Sequence, residues 1–383
     1  MFNIIIGLLA AIWRCICSIF SFFVSSKAVV KFNNGVHVSL EGCIGEGAFS
    51  FVYKGHSSET GLNYAIKKVI VQSSAIANDV KSEVKSLQRF VHPNIVELLD
   101  CVYVDDNKGC SIAYLLFPFA ENGTLRTVLT AQLDGFAPKQ YIGRVLTDFL
   151  AILEALQCLH DYTGDSYVHF DLKPENVLIF GDGKPVLTDF GSVRVAKVHI
   201  DSRQKSLKIA DEASEHCTMP YRSPELFDPH MGSSLDSRTD IWSVGCLLFA
   251  WWYGYSPFEC EFGTNSSSSG GSDFGSLEMR EYEKNSDDGA AAGTGASVYR
   301  QFTQQHYPMK VVPCSHLRIL AAPPARPTKD KLRDQSSDII DNLVGSMIIS
   351  EISNRPFLRE VVHSVQGYIS EVNGSMAAGS CDV

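Results

Sequence analysis

The chain has 383 residues, of which 45% are hydrophobic and 20% are charged, and its formal net charge is −10. This composition is that of a globular protein large enough for a two-lobed domain or two small domains. With no basic patch, the sequence predicts no nucleic-acid partner. Eleven cysteines occur without a C-x-x-C pair or a His/Cys ligand spacing, which favours reduced core thiols in a cytosolic domain over a disulfide framework or a zinc site.

Residues 1–30 differ from the rest, because the run from Ile4 to Val24 is apolar apart from Arg14 and small polar residues. The run is about as long as a membrane span, and we predict a membrane-anchor segment. A cleaved signal peptide is disfavoured, since there is no basic n-region and no clear A-x-A site. Three alternatives stay open: a transmembrane or re-entrant anchor, an in-plane apolar helix acylated at Cys15 and Cys17, and an ordinary helix packed on the fold.

Further features of this end of the chain bear on the choice. Arg14 at the centre of a span would cost about 2.5–3.5 kcal/mol. Position 2 is not Gly, which excludes N-myristoylation. Lys27 and Lys31 follow the apolar run and favour a cytosolic location for the residues after it.

From about Val38 the chain shows short β-rich runs, "HVSLEGCIGEG", "FSFVYKGHSS" and "LNYAIKKVIV", which predict an antiparallel sheet. The stretch "DVKSEVKSLQRFV" then predicts a helix with one apolar face made of Val80, Val84, Leu87 and Val91. Two more strand-like runs precede "FPFAENGTL", which we interpret as a connector.

The remainder of the chain is mostly helical in pattern. "RVLTDFLAILEALQCLH" has Leu at helical spacing, and "TDIWSVGCLLFAWWYGY" is apolar nearly all round. The second stretch is shorter than a membrane span and begins beside charges, so it predicts a fully buried helix. Gly, Ser and Asp dominate residues from about 262 to 297, which predict a disordered insert, and residues 369–383 predict a flexible tail.

The stretch "IGEGAFSFVYKG" predicts a strand, a tight turn containing Gly45 and Gly47, and a return strand, which would bring backbone N–H groups over a phosphate chain. Ser50 stands where G-x-G-x-x-G has its third Gly, so a plain hairpin is an equal alternative for this motif alone. A loop between two strands also argues against a Rossmann dinucleotide site.

Lys67 ends the apolar strand run "YAIK", where its ammonium group could reach the α- and β-phosphates. Glu83 lies on the predicted helix, off its apolar face, and can turn inward to pair with Lys67. The alternatives are a solvated lysine at a strand end and a surface glutamate paired with Lys81 or Lys85.

In "YVHFDLKPEN", the spacing of Asp171, Lys173 and Asn176 suits a proton acceptor, a phosphate-binding cation and a metal ligand. Asp189 of "TDFGS" follows an apolar strand and is placed to bind Mg²⁺ that bridges phosphate oxygens. Farther along, Glu225 of "YRSPEL" and Arg355 of "SNRP" are candidates for a buried ion pair.

Residues from about 40 to 368 resemble a eukaryotic protein kinase. The resemblance rests on G-x-G at 45–47, A-I-K at 65–67, a helix Glu at 83, H-x-D-L-K-P-E-N at 169–176, D-F-G at 189–191, S-P-E at 223–225, D-x-W-S-x-G at 240–245 and R-P at 355–356. It implies an α+β, bilobal kinase domain over 38–368, with a small β-rich N-lobe (38–117) that carries one key helix and a larger, mostly helical C-lobe (118–368).

The same resemblance implies a serine/threonine protein kinase that uses ATP and Mg²⁺ to phosphorylate Ser or Thr hydroxyl groups of protein substrates. Asp171 would accept the hydroxyl proton, Lys173 would steady the γ-phosphoryl charge, and Asn176 and Asp189 would hold metal ions. Lys173 and Thr218 match the serine/threonine pattern, with some Tyr phosphorylation left open. ATP would contact Ile44, Gly45, Glu46, Gly47, Ala48, Phe49, Ser50, Phe51, Val52, Ala65, Lys67, Glu83, Phe117, Pro118, Phe119 and Ala120.

Four stretches are similar to the Numb-associated kinase family, within it to the branch of the myristoylated and palmitoylated serine/threonine kinase: "LLFPFAENGTL", "GKPVLTDFGS", "CTMPYRSPELF" and "SRTDIWSVGCLLFAWWYG". That branch implies a membrane-attached, often Golgi-associated enzyme of secretory or membrane traffic. It also implies an extra helix in the activation segment, which "SRQKSLKIADEASEHC" could supply. The absence of the myristoylation Gly departs from the branch and weakens the Golgi inference.

Phe170 stands where H-R-D kinases have an Arg that holds a phosphorylated residue of the activation segment. That Arg takes no direct part in the chemistry, so Phe170 predicts a catalyst released from one mode of control, with its ring packed where an Arg would need a buried anion. A pseudokinase scaffold is one alternative, against which the retained Lys67, Asp171, Asn176 and Asp189 argue. A membrane receptor or adaptor is the other, and no extracellular domain is seen to support it.

Overall fold

The computed structural model describes residues 28–47, 50–105, 111–135, 141–262, 309–320 and 335–379. These residues form two compact units. Unit 1 contains the described residues up to 128, together with 148–169 and 175–195, and unit 2 contains 129–147, 170–174 and the described residues from 196 onward. The predicted insert, apart from its first residue, and the predicted anchor up to residue 27 lie outside the described residues.

An antiparallel sheet of six strands makes up much of unit 1, in the order β1-β2-β3-β4-β6-β5. The three β-rich runs and the two later strand-like runs are confirmed as β2 to β6, whereas β1 was not predicted. One face of the sheet buries Val30, Phe32, Ile66 and Leu116, among others. The strands are β1 (Val29–Lys31), β2 (His37–Glu46), β3 (Ser50–His56), β4 (Asn63–Val71), β5 (Asp100–Asp105) and β6 (Ser111–Pro118).

The predicted helix after β4 is present as α1 (Ser74–Arg89). Ser73 caps it, because the Ser73 hydroxyl accepts a hydrogen bond from the Ile76 N–H. Val80 and Leu87 are buried as predicted, but the assignment of Val91 to the apolar face was wrong, because Val91 lies beyond the helix and is 83% exposed. The chain becomes extended at Phe90, which is buried in its place, and Pro93 follows shortly after.

Two helices and four short strands follow in chain order. They are α2 (Leu125–Leu133), α3 (Ile142–His160), β7 (Tyr167–Val168), β8 (Val177–Ile179), β9 (Pro185–Leu187) and β10 (Arg194–Val195). Strand β7 pairs with β10, and β8 pairs with β9, both antiparallel. Two 3₁₀ turns stand next to these strands: Pro174–Asn176 contains the predicted site residue Asn176, and Phe190–Ser192 directly follows the predicted site residue Asp189.

Unit 2 is largely helical. Strand β11 pairs with β12, and β13 pairs with β14. The helix that the resemblance implied for the activation segment is present as α4. The elements are β11 (Val198–His199), α4 (Arg203–His216), β12 (Ser234–Leu235), α5 (Arg238–Tyr253), β13 (Cys260–Phe262), β14 (Met309–Val311), α6 (His316–Leu320), α7 (Gln335–Met347) and α8 (Leu358–Gly379), with 3₁₀ turns at Met219–Tyr221, Pro224–Leu226 and Ile352–Asn354.

The predicted fully buried helix is confirmed as α5, in which every residue after Arg238 is buried. Gly254 ends it with a φ of +95°, which favours glycine, and a Cβ at this position would lie 2.7 Å from Leu133 Cδ1, so a side chain would also displace Leu133. Across the described residues, no helix combines the length and the apolar character that a membrane crossing requires. The start of the predicted flexible tail differs from expectation, since residues 369–379 continue α8.

Candidate active site

The first group of candidate site residues lies in unit 1 and is centred on Lys67. Lys67 is on β4, paired with Val52 of β3. Its Nζ lies 2.6 Å from Glu83 Oε1 and 3.2 Å from Asp189 Oδ1. Glu83 turns inward from α1 and is buried, so the structure contains the Lys67–Glu83 pair and not the solvated alternatives.

The electrostatics of this group keep Lys67 charged. Burial by itself would lower the pKa of Lys67, but the carboxylates of Asp189 and Glu83 outweigh burial and raise it above its usual range. Burial raises the pKa of Glu83, although Lys67 opposes that shift. The result is a fixed cation in a low-dielectric setting, where contacts with anionic groups such as phosphates are strong.

Asp189 has a left-handed backbone, with φ 63° and ψ 70°, which is uncommon for a residue other than glycine and is typical of functional positions. A hydrogen bond of 3.0 Å from the Thr188 N–H to the Asn176 carbonyl ties Asn176 to the residue before Asp189. The two side chains offer carboxylate and amide oxygens, which suit Mg²⁺. In the described part of the chain no three His, Cys, Asp or Glu side chains form a metal cage, and Mg²⁺ completed by water and phosphate needs none.

His169 positions the strand that leads to Asp189, a role the sequence did not reveal. The imidazole is fully buried, with Nε2 3.1 Å from the Thr188 carbonyl oxygen. Its ring meets the Phe190 ring edge to face, with centroids 5.3 Å apart. The available signal was its place in H-x-D, two residues before Asp171.

The predicted glycine turn joins β2 and β3. Gly45 pairs with Val52, and the Gly47 N–H donates a 2.7 Å hydrogen bond to the Ser50 carbonyl. A Cβ on Gly47 would lie 2.7 Å from Ser50 Oγ, so a side chain there would displace Ser50. Strand β2 has irregular register before the turn, and its residue Ile44 is exposed.

The connector after β6 contains the last predicted ATP contacts. Phe117 pairs with Ala65 across the sheet. Phe117 and Ala120 are buried. Phe119 is half-buried, and the Lys54 ammonium lies 5.2 Å from its ring centroid. Strand β4 thus carries Ala65 beside the connector and Lys67 two residues farther along.

The second group of candidate site residues lies in unit 2 and is centred on Asp171. The Asp171 carboxylate accepts hydrogen bonds from Lys173 Nζ at 2.7 Å and from the Thr218 N–H at 2.8 Å. Lys173 Nζ also donates to Thr218 Oγ1 at 2.7 Å. Thr218 therefore orients both the predicted proton acceptor and the predicted cation, a double contact that the sequence did not reveal across 45 residues of chain.

Phe170 precedes Asp171 and has an unusual backbone, with φ 73°. The residue is 5% exposed, so its ring is packed inside. The Phe170 N–H donates a buried 3.0 Å hydrogen bond to Asp240 Oδ1 of α5, which supports a conformation that costs of order 1–3 kcal/mol. The sequence signal for Asp240 was its place as the first residue of D-x-W-S-x-G at 240–245, although the motif did not reveal the bond to Phe170.

The predicted ion pair of Glu225 and Arg355 is present in unit 2. The two guanidinium Nη atoms of Arg355 donate to the two carboxylate oxygens of Glu225 at 2.7 and 2.6 Å. The remaining N–H groups of Arg355 donate to backbone carbonyls, and its guanidinium lies 5.2 Å from the Trp242 ring centroid. This bidentate, buried geometry is that of a structural pair.

Four residues singled out from the sequence lie outside the described residues. They are the lipidation candidates Cys15 and Cys17 and the predicted ATP contacts Ala48 and Phe49. Their assignments stay predictions.

Residues 38–365 match the family described as protein kinase domain. The chain is 33% identical over 242 residues to serine/threonine-protein kinase 16 of Homo sapiens, covering 62% of this chain and 76% of that protein. It is 30% identical over 270 residues to serine/threonine-protein kinase ppk13 of Schizosaccharomyces pombe, covering 61% and 77%. A probable serine/threonine-protein kinase of Dictyostelium discoideum is 28% identical over 298 residues, covering 61% and 80%.

Proposed function

The chain belongs to the protein kinase family and is a serine/threonine protein kinase, and we propose that the Lys67 and Asp171 groups divide the work of phosphoryl transfer from MgATP. The family match and the sheet-plus-helix architecture confirm the predicted kinase fold class, whereas the predicted lobe boundaries stay predictions. The observation that carries the proposal is the Lys67 ammonium, which is held by Glu83 and Asp189.

The unit 1 group would hold the nucleotide. Lys67 stays cationic and is oriented by Glu83, so it can bind phosphate oxygens without reorganising at the moment of reaction. The Asp189 carboxylate and the Asn176 amide would hold Mg²⁺. When bound, Mg²⁺ neutralises charge on the phosphate oxygens. Glycine at 45 and 47 allows the backbone of the hairpin to approach the phosphates closely.

The unit 2 group would act on the substrate hydroxyl. Asp171 would accept the proton of the Ser or Thr hydroxyl, and the bonds from Thr218 and Lys173 hold its carboxylate in place. Lys173 would steady the negative charge that develops on the transferred phosphoryl group. Because Thr218 bonds both residues, the segment that contains α4 and Thr218 would set the geometry of the acceptor side.

An assay with purified full chain tests this function. We expect transfer of labelled γ-phosphate from ATP to Ser and Thr peptides, dependent on Mg²⁺ and absent with EDTA. A thermal shift with ATP on the same sample would report nucleotide binding separately. Nucleotide binding without any transfer would favour the pseudokinase alternative and contradict the proposed role of Asp171.

We also propose that the protein is membrane-attached, in the Numb-associated kinase family, with the kinase domain in the cytosol and a role in secretory or membrane traffic. The support is the apolar run from Ile4 to Val24, the following Lys27 and Lys31, and the presence of α4 in the activation segment. An apolar run of that length left in water would be a patch that soluble monomers rarely show. The need for ATP and the expected reduced thiols support a cytosolic kinase domain.

Carbonate extraction of cell membranes distinguishes the two modes of attachment. A spanning helix resists extraction. An in-plane helix acylated at Cys15 and Cys17 would be released in large part when both are replaced by Ser. Recovery of the unaltered full chain in the soluble fraction without detergent would contradict both modes.

A further inference from the structure

A cavity of about 950 Å³ lies in unit 1. Its lining comes from residues 87–98, from the connector after β6, and from the β8–β9 hairpin. Of the predicted site residues, only Pro118 is among those that line it. We call this cavity the hairpin groove. Its size suits several side chains of a bound ligand.

Backbone hydrogen bonds fix the walls of the hairpin groove. The Val96 N–H donates to the Leu187 carbonyl at 2.9 Å, and the Leu187 N–H donates to the Asn94 carbonyl at 2.8 Å. On the other side, the Asn122 backbone N–H donates to the Ile179 carbonyl at 3.1 Å, and the Asn122 side-chain amide adds a bond to the Phe180 carbonyl at 2.7 Å. Because these bonds hold the walls before any ligand arrives, little ordering of the protein is needed for binding.

The accessible surface of the hairpin groove is partly apolar. Val91 and Pro93 are exposed, and Leu98, Pro118 and Phe180 are half-buried. The exposure of Val91 is explained by no packing within the described residues, since the helix face it was predicted to join ends before it. Accessible apolar side chains in a concave site are typical of ligand or partner binding.

The rim of the hairpin groove is acidic. Glu97, Glu121 and Asp182 are exposed there. The Gly181 N–H fixes the Glu121 carboxylate at 2.8 Å, and the Lys184 N–H fixes Asp182 at 2.9 Å. Against these three carboxylates the lining has one ammonium group, on Lys184, so its formal net charge is −2.

His92 also lines the groove but does not offset this charge. Burial lowers its pKa, and the nearby Lys184 adds to the shift while Glu154 opposes it. The imidazole is therefore largely neutral at pH 7, and the rim keeps its negative sign.

We propose that the hairpin groove is a docking site for a segment of a partner protein in which Lys or Arg residues lie beside aliphatic residues. The aliphatic side chains would cover Val91, Leu98 and Phe180, and the basic side chains would meet Glu97 and Asp182. An anionic lipid surface or a phosphate ligand fits poorly, because the same carboxylates would repel it. The site is separate from the proposed phosphoryl transfer, so its test needs no turnover.

The test measures binding of a short fluorescein-labelled peptide in which Arg and Leu alternate, by anisotropy, to the purified full chain. Two matched peptides replace Arg with Glu or Leu with Ser. We expect saturable binding of the Arg/Leu peptide that weakens as salt is raised, because salt screens exposed charges. We expect weaker binding of the Ser peptide and no saturable binding of the Glu peptide.

Variants of the protein locate the site. Glu97→Gln combined with Asp182→Asn removes two rim charges, while the amide oxygen introduced by the second change can still accept the Lys184 N–H. The Kd should rise about tenfold, roughly the loss of two exposed ion pairs. Val91→Ser should raise the Kd severalfold without affecting the fold, because Val91 is exposed. The matched control, Asp79→Asn with Asp105→Asn, removes two exposed carboxylates of the same unit outside the groove and should leave the Kd unchanged.

Equal affinity for the Arg and Glu peptides would overturn the proposal, as would an equal effect of the groove variant and the control variant. If the doubly substituted groove protein does not fold, Val91→Ser and the Ser peptide still test the apolar contact with the native charges in place. No change in Kd in either of those would also overturn it.

Discussion

Two buried cations in this kinase have different surroundings. Among the described residues, Lys67 has two partners, Glu83 and Asp189, for its three N–H donors, and its side chain is 19% exposed. Arg355 uses all five of its N–H donors on Glu225 and on backbone carbonyls, and its side chain is fully buried. Lys67 can therefore take another anion, whereas Arg355 cannot.

This difference separates a reactive ion pair from a structural one. Asp189, the second partner of Lys67, is 41% exposed and has a strained backbone, so its contact can rearrange when a ligand binds. Glu225 is held by a bidentate contact that leaves no such freedom. Substitutions in the two groups should consequently affect different measurements, activity in one and stability in the other.

The largest expected effect is on turnover. Asp171→Asn keeps an acceptor for the Thr218 N–H but removes the proposed base, so kcat should fall by about 10²–10⁴, with a melting temperature close to that of the unaltered protein. Phosphotransfer to a Ser peptide and a thermal melt on the same sample measure both. Retained turnover would contradict the assignment of Asp171.

Breaking the structural pair should reverse the pattern. Arg355→Ala leaves Glu225, whose side chain is only 15% exposed, without its cation, and the free energy of unfolding should fall by about 3–5 kcal/mol. A urea titration followed by fluorescence measures this loss. A stability change near zero would show that the five hydrogen bonds of Arg355 do not stabilise the fold. The Arg355–Glu225 pair could then not be called structural in contrast to the Lys67 pair.

Lys67→Met sharpens the comparison on the reactive side. Met keeps the apolar stem in place and removes one fixed positive charge from the proposed nucleotide site, so kcat/KM should fall by about 10²–10³. The stability loss should be much smaller than for Arg355→Ala, because Glu83, whose pKa burial already raises, can take up a proton when its partner is absent. Equal stability losses in the two variants would show that the Lys67 pair is as structural as the Arg355 pair.

The sequence predicted those features of the fold that follow from local patterns. Alternating and β-branched runs predicted β2 to β6, and the apolar stretch around Trp242 predicted α5. Strand β1 was missed because it has only three residues, too few to show an alternation of their own. Val91 was placed wrongly because helical spacing continues past the point where Phe90 turns inward.

In the candidate site, the sequence predicted residue identities better than contacts. The spacing of Asp171, Lys173 and Asn176 was informative because the motif is local. The bonds of Thr218 to Asp171 and Lys173 were not, because they depend on how α4 returns the chain. Nor does any propensity of phenylalanine predict a φ of 73° at Phe170, which is supported by a hydrogen bond from the Phe170 N–H to Asp240, seventy residues away.

The smallest expected effect is the rate of thiol alkylation at Cys217, the residue before Thr218. Cys217 precedes Thr218, and its carbonyl accepts two hydrogen bonds from the Arg222 guanidinium. Burial, and next the charge of Asp171, raises the pKa of the Cys217 thiol to about 12, so about one molecule in ten thousand holds the thiolate at pH 8.

Cys43, on the exposed part of β2, provides the matched comparison. With iodoacetamide at pH 8, mass spectrometry should show Cys43 modified first and Cys217 modified only after denaturation. Because the thiolate is the reacting species, raising the pH to 9 should increase tenfold any residual rate at Cys217 in the folded protein. Modification of Cys217 as fast as Cys43 would show that the segment before Thr218 opens, and Thr218 could not then hold Asp171 as rigidly as the two hydrogen bonds imply.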